Sequence, residues 1–291
     1  MFFGFKKAKK ESNNDFEELL SKAQQGDARS QFFIGARYQK GDGVEVNMSE
    51  AVYWYRKAAE QDYPGALCAL GTCYEKGLGV EEDQIEALRW YLRAVEYEYA
   101  PAQYALGYVY VYGKGVKQDI EGGLELMVKA ALQGLPDALC HLGFTYVLGE
   151  IVPKDLEKGI TLLRKAVELN YEPANFFLGY CYYHGLGVTK DYKKAVGLFK
   201  KAAEQGFADA LLALGYCYFN GDGVVQNDEK AILFFRKAAE KGDMDAQFDL
   251  GLAYEEGTGV EKDLHTALEW YQKAARQGHE EAMEKVKVYA Y

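Results

Sequence analysis

The segment that decides the fold begins Ala66-Leu-Cys-Ala-Leu-Gly-Thr-Cys-Tyr74 and continues through Gly77-Leu-Gly-Val80 and Asp83 to Ala87-Leu-Arg-Trp-Tyr-Leu-Arg-Ala94. The same order of residue types returns every 36 residues, and a tyrosine follows three residues after each recurring glycine. The recurring glycines are Gly35, Gly71, Gly107, Gly143, Gly179, Gly215 and Gly251. Self-similarity at a fixed period of this length is typical of repeat architectures. We therefore predict an array of one repeated structural element.

Each repeat is predicted to form two helices. Ala66, Leu70 and Tyr74 share one helical face because they are four and eight residues apart. The Gly77–Val80 loop ends this first helix, since glycine accepts the positive φ of a helix C-terminus. Asp83 is the N-cap of the second helix. The recurring glycine inside the first helix costs about 1 kcal/mol, which indicates that a neighbouring helix packs too closely for a side chain.

Short helix pairs bury a continuous core only by stacking on their neighbours. We predict an all-α fold in which residues 15–291 form a single solenoid, preceded by a flexible N-terminal tail over residues 1–14. Half-repeats over 15–27 and 280–291 are expected to cap its ends. The seven repeats span residues 28–63, 64–99, 100–135, 136–171, 172–207, 208–243 and 244–279.

Two repeats depart from the pattern in the middle of the array. Ile151 stands where the other loops have their second glycine, and because a β-branched residue resists positive φ, this loop is expected to differ in shape. Gly123 and Gly159 stand where the second helices of other repeats have alanine. These second helices are therefore expected to present a changed packing surface.

Composition excludes several classes of function. The chain of 291 residues has 34 Lys and Arg against 44 Asp and Glu, a formal charge of −10. Nucleic-acid binding requires clustered basic residues, so we expect no nucleic-acid partner. No apolar run approaches the roughly 18 residues of a membrane-spanning helix. The alternative left open is that Phe2, Phe3 and Phe5, beside four lysines, contact a membrane surface.

The five cysteines indicate a reducing environment. Their number is odd and no Cys-x-x-Cys pair occurs, which favours buried free thiols over a disulfide framework. We therefore expect a cytoplasmic location. The histidines and cysteines have no metal-ligand spacing, no nucleophile elbow occurs, and the Gly-x-Gly loops follow helices rather than strands. The sequence predicts no catalytic residue, no metal and no cofactor.

These motifs resemble the Sel-one-like repeat family, within the tetratricopeptide superfamily of α-solenoids. The resemblance rests on Ala66, Leu70-Gly71, Tyr74, the Gly77–Val80 loop and Trp90-Tyr91, repeated along most of the chain. It implies a right-handed α/α superhelical solenoid of seven 36-residue helix-loop-helix repeats with capping half-repeats. It also implies a non-catalytic scaffold or adaptor for protein–protein interaction, whose first helices line a concave face.

The resemblance further implies which residues line that concave face. In repeats one, two and seven the positions four and five after the recurring glycine are polar. In repeats three to six these positions, together with the position one after the glycine and the position three before it, are mostly aromatic or aliphatic. A contiguous apolar stripe with polar flanks is typical of a binding surface. The candidate partner-binding residues are Tyr104, Tyr108, Val111, Tyr112, Phe144, Val147, Phe176, Tyr180, Tyr183, His184, Tyr216 and Phe219. The alternative is that superhelical packing buries these rings between adjacent repeats.

The predicted function is therefore capture of another protein or a peptide segment in an aromatic groove, by a chain that is a monomer when alone. An alternative function is small-molecule binding or β-lactamase-like hydrolysis, because some secreted family members are associated with β-lactams. Those members carry a cysteine pair in each repeat, which this chain lacks. The sequence therefore favours the scaffold and predicts no enzyme.

Overall fold

The computed structural model describes residues 15–289, so the predicted N-terminal tail and its membrane contact lie outside the described residues. Over the described range the chain forms sixteen helices and no strand. Helix α1 covers residues 15–24. The others are α2 (Ala28–Lys40), α3 (Met48–Ala59), α4 (Pro64–Lys76), α5 (Gln84–Val95), α6 (Ala100–Tyr112), α7 (Ile120–Leu132), α8 (Pro136–Leu148), α9 (Leu156–Glu168), α10 (Glu172–His184), α11 (Tyr192–Glu204), α12 (Ala208–Asn220), α13 (Asp228–Glu240), α14 (Met244–Glu256), α15 (Leu264–Arg276) and α16 (Glu280–Tyr289).

The chain divides into two compact units between Ala138 and Leu139. The N-terminal unit is described over residues 15–138 and the C-terminal unit over residues 139–289. Within the N-terminal unit α2 to α7 pack each on the next, and within the C-terminal unit α9 to α16 do the same. Each unit has the layout of an all-α solenoid, as predicted from the repeats.

The helices begin and end at the predicted capping residues. The Asp83 carboxylate accepts hydrogen bonds from the backbone N–H groups of Ile85 and Glu86 at the start of α5. The equivalent Asn or Asp caps the second helix of every repeat. Gly77 ends α4 in the left-handed region at φ 63°. Ile151 is not among the described residues with positive φ, which confirms the expected departure of that loop.

The recurring glycine marks a close helix contact, as the sequence predicts. A Cβ placed on Gly71 would lie 2.5 Å from the Tyr91 ring of the second helix. In repeat three the contact is made by the backbone of the second helix instead of a ring, because Gly107 and Gly123 face each other. A Cβ on Gly107 would lie 2.6 Å from the carbonyl oxygen of Gly123. Here backbone packs directly on backbone.

The tyrosine three residues after each recurring glycine is half-buried. Its ring packs against the core while its hydroxyl reaches the surface. Arg56, on the second helix of repeat one, donates a hydrogen bond of 2.7 Å to the Tyr74 hydroxyl of repeat two. Arg236 and Tyr254 form the same contact in the C-terminal unit. These tyrosines therefore link consecutive repeats.

In three of the repeats a pair of glutamines connects the end of the second helix to the first helix. The Gln133 side chain, after α7, donates to the Gln103 side-chain oxygen at 2.8 Å and to the backbone oxygen of Glu98 at 2.9 Å. Repeats one and seven form the same pair, Gln61 with Gln31 and Gln277 with Gln247. In repeat five the shorter Asn175 replaces the first glutamine, and its buried side-chain oxygen accepts no hydrogen bond.

Asn175→Gln is expected to stabilise the protein by about 1 kcal/mol, the net contribution of one intramolecular hydrogen bond. The longer side chain reaches Gln205, which stands at the position of the second glutamine. The measurement is urea unfolding followed by circular dichroism, compared with Asn175→Gln/Gln205→Ala. An equal gain in the double variant would show that the new glutamine stabilises by some other contact.

Candidate functional site

A buried pair in each repeat decides whether the position four residues after the recurring glycine is polar. In repeats one, two and seven a fully buried tyrosine of the second helix donates its hydroxyl to that residue. Tyr55 donates to Gln39 at 2.6 Å and Tyr91 donates to Glu75 at 2.7 Å. Tyr271 donates to Glu255, which also accepts from Lys285 at 2.8 Å. A polar residue is needed here because burial leaves the hydroxyl no water.

In repeats three and four this position is a valine, and both valines are buried. Val111 is 2% exposed and Val147 is 0% exposed. Their side chains occupy the gap that Gly123 and Gly159 leave, so a Cβ on Gly123 would lie 2.7 Å from the Val111 methyl carbon. The assignment of Val111 and Val147 to a partner-binding surface is therefore corrected. They fill the core because no tyrosine hydroxyl needs a partner there.

In repeats five and six phenylalanine replaces the buried tyrosine of the second helix, and the first helix carries the half-buried Tyr183 or the exposed Phe219 at this position. The Tyr183 hydroxyl donates to Asp222 of the following repeat at 2.5 Å. Phe219 is 42% exposed. These two rings remain available to a partner on at least one side.

In the N-terminal unit the predicted residues form a small aromatic patch on α6. The rings of Tyr108 and Tyr112 lie 4.5 Å apart, and the Lys114 ammonium lies 4.6 Å from the Tyr108 ring. Tyr104 is half-buried on the same helix. This patch combines apolar area with hydroxyl groups, which suits a protein contact.

In the C-terminal unit the predicted residues surround a pocket between α10, α12 and the start of α14. Its volume is about 350 Å³, at the small end of the roughly 300–1,000 Å³ range of ligand pockets. The predicted residues that line it are Phe176, Tyr180, Tyr183, His184 and Tyr216. They come from neighbouring first helices, at the positions three before and one, four and five after the recurring glycine.

Aromatic contacts extend the pocket on both sides. Phe144 lies 4.3 Å from the Phe177 ring and 6.0 Å, edge on, from the Tyr180 ring. On the other side Tyr216 also lines a smaller pocket of about 160 Å³, together with Phe219. The predicted rings of this unit therefore form one continuous surface, which we call the aromatic pocket surface.

The sequence interpretation missed the acidic side of the pocket, Asp209, Asp243 and Asp245. Asp209 and Asp245 stand six residues before the recurring glycine of repeats six and seven, the first turn of the first helix. Repeat four also has aspartate there, while the other repeats have Arg, Gly or Pro. That change along the array is the sequence signal that could have identified them.

The pocket electrostatics follow from burial and like charges. Burial, followed by the Asp243 carboxylate, raises the pKa of Asp209. Burial also raises the pKa of Asp249 although the Tyr216 hydroxyl donates to it at 2.5 Å. Burial and the nearby Lys190 lower the pKa of His184, so this histidine is neutral at pH 7. The pocket lining therefore combines three carboxyl groups with no lysine or arginine side chain.

The cysteines take no part in the pocket. All five are free and buried, and burial raises the pKa of Cys181 and of Cys217 to about 12. Among the described residues no group of histidine, cysteine and carboxylate side chains could hold a metal ion. Within residues 15–289 no helix has the length and apolar character needed to cross a membrane.

Known proteins share both the repeat sequence and the helical architecture of this chain. Seven segments match the Sel1 repeat, residues 28–63, 64–96, 100–135, 136–171, 173–207, 208–243 and 245–279. A Sel1 repeat protein of Oxalobacter formigenes has a similar structure, with a TM-score of 0.69 and 30% identity over 96% of this chain and 84% of that chain. The c5321 protective antigen of uropathogenic Escherichia coli, which has an SLR fold, gives a TM-score of 0.62 and 31% identity over 93% of this chain. This chain spans 66% of the length of that antigen.

The immunity protein Pa5087 of Pseudomonas aeruginosa is also similar, with a TM-score of 0.54 and 25% identity over 73% of this chain and 81% of that chain. No curated protein matches the sequence. Sel1 repeat proteins are in general non-catalytic scaffolds for protein interaction. Because the matched repeats cover nearly all of the described chain and the similar structures share the helical array, the chain belongs to the Sel1 repeat family.

Proposed function

We propose that this protein is a non-catalytic scaffold that binds a segment of a partner protein on the exposed faces of its first helices. The observation that carries the proposal is the aromatic pocket surface of the C-terminal unit. Its pocket of about 350 Å³ is large enough for one or two side chains. Tyrosine rings with hydroxyl groups at the rim are typical anchors of protein interfaces.

The residues proposed to contact the partner are those whose rings reach the surface. In the C-terminal unit they are Phe144, Phe176, Tyr180, Tyr183, His184, Tyr216 and Phe219. In the N-terminal unit the patch of Tyr104, Tyr108 and Tyr112 provides a second contact. A segment without regular tertiary structure suits such a surface because anchor side chains enter pockets one by one.

The five free, buried thiols support a place in a reducing compartment, and a cytoplasmic monomer is part of this proposal. The proposal assigns no catalytic residue. At the pocket the Asp243 carboxylate accepts a hydrogen bond from the Ala246 N–H, and the His184 imidazole is neutral. Their arrangement suits recognition rather than covalent chemistry.

The triple substitution Tyr108→Ser/Tyr180→Ser/Tyr183→Ser is expected to abolish partner capture from a lysate of the native host. It removes three rings of the proposed surface but leaves the repeat cores in place. The measurement compares the proteins retained by wild type and variant, quantified by mass spectrometry. A client retained by wild type and lost by the variant is the expected result.

The matched control carries Tyr53→Ser, Leu92→Ser and Leu233→Ser, which remove exposed apolar side chains from second helices. We expect this control to retain the client. Circular dichroism verifies that both triple variants keep the helix content of wild type. If the folded aromatic variant retains the same client as the control does, the proposed surface is wrong.

A further inference from the structure

The walls of the aromatic pocket have two kinds of surface. Phe176, Tyr180 and Tyr216 contribute aromatic rings, while Asp209 and Asp245, from the first turns of α12 and α14, contribute carboxyl groups. Asp243 also lines the pocket, and its carboxylate accepts a hydrogen bond of 2.8 Å from the N–H of Ala246. No lysine or arginine lines the pocket. Three carboxyl groups thus line the same cavity as the aromatic rings.

Within the described part of the chain two of the three pocket carboxyl groups form no ion pair, although Lys190 lies near His184 of the same pocket. No ion pair there involves Asp209 or Asp243, and Asp245 lies 3.6 Å from the His279 ring nitrogen. Elsewhere in the same unit Glu255 is paired with Lys285 at 2.8 Å. Burial, followed by the Asp243 carboxylate, raises the pKa of Asp209, so a cation beside this carboxyl would favour its ionised form.

The aromatic wall suits an organic cation. A cation over the face of an aromatic ring is attracted by its quadrupole within about 6 Å. The chain uses this contact repeatedly, with Lys114 over Tyr108 at 4.6 Å and Lys273 over Trp270 at 3.6 Å. Among the described cation contacts none involves Tyr180 or Tyr216. A bare metal ion fits less well because the described residues hold no metal-binding cluster.

We propose that the aromatic pocket of the C-terminal unit binds a lysine or arginine side chain of the partner segment. The cationic head lies between Asp209 and Asp245, and the aliphatic stem lies on Tyr180 and Tyr216. This inference rests on the proposed function and adds the chemistry of its anchor residue. Charge complementarity selects the occupant, since an acidic or purely apolar anchor leaves the carboxylates unpaired.

The test is selection of a phage-displayed random 12-residue peptide library on the full chain. Wild type is expected to enrich peptides with a lysine or arginine at a common position flanked by apolar residues. The variant Asp209→Asn/Asp245→Asn is expected to lose that enrichment. Glu204→Gln/Glu240→Gln, which removes the same number of charges from exposed second-helix positions, is expected to keep it.

Fluorescence anisotropy then measures the affinity of each folded variant for a selected peptide. We expect at least tenfold weaker binding to Asp209→Asn/Asp245→Asn, and the same loss when the peptide's basic residue is replaced by glutamine. Thermal unfolding should show no loss of stability in this variant, because the substitution removes repulsion between carboxylates.

The outcomes separate this inference from the proposed function. Enrichment of apolar peptides without a basic residue would overturn the cationic anchor and leave peptide binding standing. Equal affinity of the wild type and the aspartate variant for the selected peptide would do the same. Failure to enrich any peptide on wild type would overturn both.

Discussion

Gly123→Ala is expected to destabilise the protein by about 2 kcal/mol, although alanine is the residue that most other repeats have at this position. An alanine Cβ at this site would lie 2.7 Å from the Gly107 carbonyl oxygen and 2.8 Å from the Val111 backbone nitrogen. Backbone atoms cannot turn aside as a side chain can, so α6 and α7 must separate. The gain in helix propensity, up to about 1 kcal/mol, offsets only part of this loss.

Gly197→Ala is the matched control, since Gly197 is also inside a second helix but has no atom within 4 Å of an added Cβ. It is expected to stabilise the protein by about 0.5–1 kcal/mol through helix propensity alone. Urea unfolding followed by circular dichroism measures both variants. Equal effects of the two substitutions would show that α6 and α7 are not in backbone contact.

A rescue variant tests the physical cause. Val111→Glu/Gly123→Ala/Met127→Tyr gives repeat three the residues that repeat two has in Glu75, Ala87 and Tyr91. We expect it to recover at least half of the stability lost by Gly123→Ala, because the larger ring holds the helices further apart and its hydroxyl has a carboxylate partner. No recovery would indicate that the spacing of α6 and α7 is set elsewhere.

The repeat pattern alone was sufficient to predict the helix pairs, their caps and the close contact at the recurring glycine. These features depend on residues within one repeat, such as Asp83 at the start of α5 and Gly71 against Tyr91. The burial of Val111 was not predicted, because it depends on the combination of two distant positions. A valine in the first helix enters the core only where the second helix has Gly123.

The candidate site was predicted in part for the same reason. The aromatic positions of α10 and α12 were identified because they follow the register of the repeat. Asp209 and Asp245 were missed because they lie in the first turns of helices in repeats six and seven. Their part in the pocket depends on how neighbouring first helices pack, which a comparison of equivalent positions does not contain.

Tyr91→Ala is expected to destabilise the protein by about 4 kcal/mol, within the usual range for removing a large buried ring. Tyr91 is 1% exposed, and its ring covers Gly71 in the centre of repeat two. The substitution opens a cavity between α4 and α5 and also leaves Glu75 without its hydroxyl donor. In a stacked array the loss extends to the neighbouring repeats, whose interfaces depend on this pair.

Two further substitutions separate the cavity from the lost hydrogen bond. Tyr91→Phe keeps the ring and removes only the donor, so a loss of about 1–2 kcal/mol is expected. Tyr53→Ala removes an exposed tyrosine from the preceding second helix and is expected to change stability by less than about 0.5 kcal/mol. If Tyr91→Phe costs as much as Tyr91→Ala, the hydroxyl–carboxylate pair rather than ring packing on Gly71 holds α4 and α5 together. We expect the larger loss for Tyr91→Ala, which would show that the ring is the main contact between α4 and α5. The smaller loss for Tyr91→Phe would show that the hydroxyl is the reason why a polar residue, Glu75, stands at this position.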